Sequence, residues 1–255
     1  MSLVATEAVV LYRFDYLESS RIVRLATRDL GVQSVLARGA RRPGSRFGQA
    51  LDLFASGVVQ FNSLPGRDLS NLAGFEVLRF RSGIGSDLDR FAAASALAEL
   101  ALRFGHSGAP DPAFDTLVGA LDALAVAPKG SATETGLGAA WRYVAALGFA
   151  PSLESCAACH GRLPEAASVH FSSAQGGALC ERCSAGRANW GRRQLPQRAL
   201  AAIRSWLSGE SVQLGNASER CAHLRLFREF VQHHLAGEVE LRALRAWERR
   251  ERSWA

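Results

Sequence analysis

Two short cysteine pairs, Cys156-Ala-Ala-Cys159 and Cys180-Glu-Arg-Cys183, lie twenty residues apart past the middle of the chain. A C-x2-C pair followed at this distance by a second one reads as a single tetrahedral zinc site. Each pair fits a tight turn that aims two thiolates at a common ion. The residues between, from Val169-His170-Phe171 through Gly176-Gly177 to Ala178-Leu179, can supply the returning strands of a zinc ribbon. Four thiolates fill the zinc shell and leave no position for water or substrate, so the expected cofactor is one structural Zn²⁺ that supports a fold and catalyses nothing. Two redox-active pairs are the competing reading; the matching spacings and the scarcity of other cysteine weigh against it. The fifth cysteine, Cys221, falls on the apolar stripe Cys221, Leu224, Phe227, Val231, Leu235 and is expected to be a buried thiol.

The chain has 255 residues and 48% hydrophobic content, enough for one large core or two modest ones. The opening Met1–Glu7 lacks a basic start followed by an apolar run, so no secretory leader is expected. No uninterrupted apolar stretch reaches the roughly 18 residues of a membrane span. Paired thiols suit a reducing compartment, and a cytoplasmic location is expected. The net charge of +6 is unevenly spread. Residues 1–82 carry eleven Arg against seven acids, residues 83–186 five Arg and Lys129 against ten acids, and residues 187–255 thirteen Arg against seven acids. A basic head and tail therefore flank an acidic middle, and the positive charge is almost all Arg, whose planar fork suits phosphate.

Five segments of β-branched and apolar residues between polar breaks read as strands: Val4–Phe14, Arg21–Thr27, Gly31–Arg38, Leu51–Phe61 and Leu69–Phe80. Five short strands in about eighty residues suggest a small closed barrel of the oligonucleotide/oligosaccharide-binding (OB) kind, although an SH3-like barrel would give similar signals. Beyond residue 82 the periodicity turns helical. Helices are expected from Asp87 to Phe104, from Asp111 to Ala127, from Thr133 to Leu147, over Gln197–Leu207 and Ala217–Leu235, and at a basic end, Val239–Arg252. The expected fold is α+β: an N-terminal five-stranded OB barrel over 1–82, then a helical domain over 83–255 with the zinc module inserted at about 154–186.

The strongest binding segment is Arg38-Gly39-Ala40-Arg41-Arg42-Pro43-Gly44-Ser45-Arg46-Phe47, with four Arg and no acid in ten residues. Arg38, Arg41, Arg42 and Arg46 are expected to meet phosphates, and Phe47 to stack on a base, as single-strand binding requires. The bland alternative is a solvated loop. The histidines assemble no site, although His160, next to Cys159, could serve as an alternative ligand. Phosphate-cradling, zinc-protease and nucleophile-elbow motifs do not occur in the sequence. Asp87 and Asp89 look like a helix start, not a metal pair. A binding protein is expected in preference to an enzyme.

Three motifs carry a family resemblance. The first runs from Ala8-Val9-Val10-Leu11 through Asp15-Tyr16-Leu17-Glu18-Ser19-Ser20-Arg21-Ile22-Val23 to Thr27-Arg28-Asp29-Leu30-Gly31. The second is the basic segment from Ala37 to Phe47, and the third the cysteine module with Phe171 and Gly176-Gly177. In this order they resemble the RecO family of bacterial DNA repair and recombination mediators. The resemblance implies an OB barrel, a helical domain and an inserted zinc module. It also implies binding to single- and double-stranded DNA, annealing of complementary strands, and work with RecR and the C-terminal tail of single-stranded-DNA-binding protein (SSB) to load recombinase. Two departures stand out: the family often has Gly where this chain has His160, and Arg here replaces basic positions that are frequently Lys. Readings from other classes are an RNA-binding OB/zinc protein and a zinc-dependent nuclease or hydrolase, the latter disfavoured by the closed zinc shell.

Overall fold

In the computed structural model, which describes residues 2–63, 68–164, 168–185 and 192–253, the five expected N-terminal strands are present and close on themselves. They are β1 (Ser2–Tyr16), β2 (Ser20–Thr27), β3 (Gly31–Ala37), β4 (Ser56–Ser63) and β5 (Leu69–Arg79), in the order β1-β2-β3-β5-β4 with β4 returning to β1. All pairs are antiparallel except β3–β5, which is parallel. That order is the Greek-key closure of an OB barrel, and it decides between two barrels that periodicity alone left open. Strand β1 makes closure possible by its length: residues Ser2–Val9 pair with β4, while Ala8–Tyr16 pair with β2.

Inward positions fill the barrel with Ala8, Val10, Val23, Leu25, Val35, Val59, Phe61 and Leu72. The fourth strand starts later than expected. Gly48–Leu51 is a turn of 3₁₀ helix, and Phe54 sits at φ 66°, so the chain turns twice before Ser56. The apolar residues Leu51 and Phe47, which make this stretch look strand-like, instead plug the barrel.

Three helices follow: α1 (Ser82–Gly85), α2 (Leu88–Phe104) and α3 (Phe114–Val126). They group with the barrel in one compact unit, Met1–Val126, which extends past the expected boundary at residue 82. Charged contacts show why. The buried Arg81 reaches Asp122 of α3 at 2.8 Å and the Phe54 carbonyl at 2.6 Å, and Arg28 of the barrel joins Asp115 at 2.7 Å. Asp87 caps α2, its carboxylate accepting from the N–H groups of Asp89 and Arg90.

The second unit, Ala127–Ala255, contains α4 (Ala132–Ala146), a three-stranded sheet of β6 (Ser168–Ser172), β7 (Gly177–Leu179) and β8 (Arg192–Pro196), and the short α5 (Glu181–Ala185). It ends with α6 (Gln197–Leu207), α7 (Ala217–Val231), a π-helical turn at Gln232–Ala236, and α8 (Arg242–Arg252). Its core is aromatic: Trp141 meets Phe227 edge-on at 4.9 Å, and Phe171 of the sheet lies 6.3 Å from Phe230. Gly138 lets α4 and α6 approach closely, since a Cβ there would sit 2.9 Å from the Trp206 ring. Glu248 and Glu251 of α8 are buried and bound by arginines of α7, Arg228 and Arg220. No helix among the described residues is long and apolar enough to cross a membrane.

Candidate metal centre and nucleic-acid interface

The sheet of the second unit sets the two cysteine pairs side by side. The first pair lies in a turn closed by Cys156 N–H to the Gly161 carbonyl and His160 N–H to the Cys156 carbonyl, both at 2.8 Å. That turn is tied to β7 by Ala157 N–H donating to the Ala178 carbonyl. The second pair brackets the junction of β7 and α5. Gly177 permits the close approach behind it, because a Cβ there would lie 2.1 Å from the Ser152 carbonyl oxygen. Residues 165–167 and 186 of the expected module lie outside the described residues.

All four sulfurs lie within 4.8 Å of one another, and Cys159 and Cys180 are 3.7 Å apart. Zn–S bonds near 2.3 Å imply a tetrahedron edge of about 3.8 Å, so the cluster fits a metal ion with little adjustment. Electrostatics agree. Burial opposes ionisation of Cys156, but N–H groups of Cys180, Ala158 and Cys159 outweigh it and hold its thiol down at about 6. The Cys159 and Cys180 sulfurs, with burial, push Cys183 up to about 12. Four thiols packed together cannot all ionise comfortably, and a divalent cation removes that conflict. His160 does not join the group. It has φ 59°, in the left-handed region that favours glycine. Cys221 is buried on α7, and burial raises its pKa as expected of an inert core thiol.

On the barrel, Arg38, Arg41, Arg42 and Arg46 are all exposed, in a run of turns after β3. Their surroundings differ. Arg41 is anchored: its backbone N–H donates to the Ser19 carbonyl at 3.0 Å, and its guanidinium reaches Asp15 at 3.3 Å and the Glu18 carbonyl at 3.2 Å. Arg38, Arg42 and Arg46 have no carboxylate partner among the described residues. Phe47 corrects the sequence reading. It is 3% exposed and belongs to the barrel core, with the Arg46 guanidinium 4.8 Å above its ring, so it cannot stack on a base. An aromatic ring beside a glycine-rich basic loop suggested stacking, but a barrel end needs an apolar plug, and that demand fixed the ring.

Sequence reasoning passed over the exposed aromatic residues of β1: Tyr12, Phe14 and Tyr16 are 51%, 41% and 39% exposed. Their alternation was visible in the sequence, but it has the same parity as Ala8 and Val10, which point inward. A bulge between Val10 and Tyr12 reverses the strand's faces from there on.

A small closed barrel followed by a helical unit with a four-thiol knuckle defines a class of α+β proteins that pair an OB fold with a helical domain whose four cysteines could hold a metal ion. Residues 1–81 match the family model for the recombination protein O N terminal region, and residues 85–243 that for its C terminal region. A DNA repair protein RecO from Anaeromyxobacter sp. (strain Fw109-5) is 36% identical over 92% of both chains. Another from Rubrobacter xylanophilus is 37% identical over 72% of both. The chain belongs to the RecO family, and is accordingly a DNA repair and recombination protein and not a catalytic enzyme.

Proposed function

We propose that this protein is a recombination mediator that binds DNA through its barrel loop, anneals complementary strands, and works with RecR to load recombinase onto SSB-coated single strands. The observation that carries the reading is the exposed, acid-free arginine loop mounted on an OB barrel in a chain of this family. Arg38, Arg42 and Arg46 neutralise phosphates of both strands, and Arg41 holds the loop against the β1–β2 turn while meeting a phosphate with its remaining donors. Phosphate contact is indifferent to base sequence, which suits a protein that must act wherever strands are exposed. Annealing by charge neutralisation needs no nucleotide hydrolysis.

The ion held by Cys156, Cys159, Cys180 and Cys183 is read as one structural Zn²⁺, because four thiolates in a tetrahedron suit that metal. A groove of about 530 Å³ in the helical unit, floored by Leu195, Ala202 and Leu226 and edged by Arg198 and Arg225, supports the acidic, apolar tail of SSB as a partner. The groove takes apolar side chains and the guanidinium groups take carboxylates. The site of action is the cytoplasm, at the nucleoid.

The deciding experiment is annealing of complementary oligonucleotides by the full chain without ATP, at several salt concentrations. Annealing that speeds with protein and fades with salt is expected. No acceleration at low salt overturns the reading. RNA strands in the same assay separate a DNA mediator from an RNA-binding protein, and titration with an SSB tail peptide tests the groove.

A further inference from the structure

The outer face of the β1–β2 hairpin changes character along its length. Near the barrel's middle, Val9, Leu11 and Ala26 are buried, and Arg24 donates to the Leu102 carbonyl of α2 at 3.4 Å. Past that point β1 leaves Tyr12, Phe14 and Tyr16 partly open to solvent, at 51%, 41% and 39% exposure. The bulge at Leu11 creates this arrangement. Strict alternation from Ala8 and Val10 would send all three rings into the barrel; the extra residue turns them outward and leaves Arg13 opposite the core residue Val23. Tyr12 then stands across from Arg24, Phe14 across from Ile22, and Tyr16 across from Ser20.

Three partly exposed rings on one strand cost solubility. The Tyr12 and Phe14 rings are 5.9 Å apart and tilted by 43°, so they do not satisfy each other by stacking. Alternate residues of a strand are spaced about 6.7 Å apart. That spacing leaves each ring a face on which one flat group could lie, as in an extended single strand whose bases have come apart. The surrounding charge selects the same ligand. The arginine loop is pinned to this hairpin by the Arg41 contacts with Ser19 and Glu18, and Arg24 lies within the row of rings. The acids nearby are Asp15, whose carboxylate is engaged by Arg21 and Arg41, and Glu18 at the turn.

We propose that Tyr12, Phe14 and Tyr16 form a stacking platform for the unpaired bases of a single strand whose phosphates lie on the arginine loop. The proposal rests on the DNA-binding reading above and deepens it. The loop supplies charge attraction to any nucleic acid, and the rings favour the single strand, because bases in a duplex are already stacked. A strand held with its bases spread on exposed rings keeps their pairing edges open, which is the state an annealing protein needs to present.

The test measures binding of the full chain to oligothymidylate, to an abasic strand of equal length, and to duplex DNA. Each replacement of Tyr12, Phe14 or Tyr16 by Ala is expected to weaken oligothymidylate binding by about five-fold or more. Affinity for the abasic strand and the duplex stays at the parent value, and so does the salt dependence, since no phosphate contact is lost. Phe14→Trp should retain affinity and report base contact by quenched fluorescence. Variants that bind oligothymidylate like the parent overturn the platform and leave the face to a protein partner. Parallel loss on all three ligands also overturns it, as the mark of a structural role. A parent that binds neither strand sinks the mediator reading and the platform together, whereas a parent that anneals while the variants match it sinks the platform alone.

Discussion

The four-thiol module and the arginine loop are both turns braced by β-structure, yet they are specified by opposite means. The module depends on four side chains meeting at one point, so a few residues at fixed spacing determine it, and a single change destroys it. The loop depends on charge spread over exposed side chains around a rim, so no single residue determines it, and losses should be graded. Four neighbouring thiols can all ionise only around a shared cation, whereas the exposed arginines have no such common partner and spread their charge.

The strongest way to break this comparison is Cys180→Ser. Structural zinc contributes on the order of 10 kcal/mol or more to the folding of a small site. Metal analysis should therefore fall from one ion per chain to none, with protease sensitivity appearing between residues 150 and 190 and the barrel unaffected. Cys221→Ser should keep its metal, since that thiol is buried away from the cluster. Full metal retention by Cys180→Ser would refute the all-or-none character of the module.

A second change asks how much of the helical unit stands without the metal. Glu248 is 3% exposed and is held by Arg228 at 2.7 Å and by Arg252. Glu248→Ala should cost about 3 kcal/mol, the low end for breaking a buried pair because its partners reach solvent. Burial raises the carboxyl's pKa, but hydrogen bonds from Arg228 and Arg252 outweigh it, so the net shift is downward. A lowered folded-state pKa contributes stability that is present above the ordinary value of 4.5 and is lost as pH falls below it. Acid unfolding of the parent should therefore steepen below about pH 4.5, and the variant should lose that component. Glu134 is shifted upward by burial, so it is uncomfortable when ionised, and Glu134→Gln should be tolerated far better at neutral pH. Equal losses from the two changes would show the arginine network contributes nothing particular.

The same contrast explains what could be read from the sequence. The cysteine cluster, its glycines and the inert Cys221 were all legible, because ligand spacing and helix periodicity are local. The five strands and most helices were legible too, as was the cap at Asp87. Three things were not. Leu51 and Phe54 look like strand residues, but they plug and turn the chain. Phe47 looks like a stacking group, but the barrel end takes it inside. The outward turn of Tyr12, Phe14 and Tyr16 hangs on one inserted residue, Leu11, whose effect on side-chain parity appears only when β1 is paired with β2. Local chemistry survives in a sequence; exposure depends on partners far along the chain.

For the loop, removing Arg38 and Arg42 together should flatten the slope of log K against log salt for single strands by about 1.4, since each phosphate contributes about 0.7. The loss should be the same for unrelated base sequences, and metal content should not change. Arg41→Ala should do more than its share of damage, because it also releases the loop from Asp15 and from the Leu17 and Glu18 carbonyls. An unchanged slope in the double variant would mean the loop is only solvated, and the arginines of α8 would be the next surface to test.

The smallest effect sharpens the comparison from inside the module. His160 closes the first cysteine turn at φ 59°, where a side chain costs roughly 1–2 kcal/mol relative to the right-handed region. His tolerates that region better than most residues, and Gly gives back part of the gain through its freer unfolded chain. The net benefit of His160→Gly should therefore be about 0.5–1 kcal/mol. It should appear as a slightly higher melting point and slower loss of metal to a chelator. His160→Val, with a branched Cβ, should shift both the other way. DNA binding should not respond to either change, because the turn belongs to the second unit and carries cysteines, whereas the arginine loop belongs to the first. If His160→Gly loses metal faster than the parent, the imidazole supports the turn by a contact of its own, and strain relief is not what governs this position.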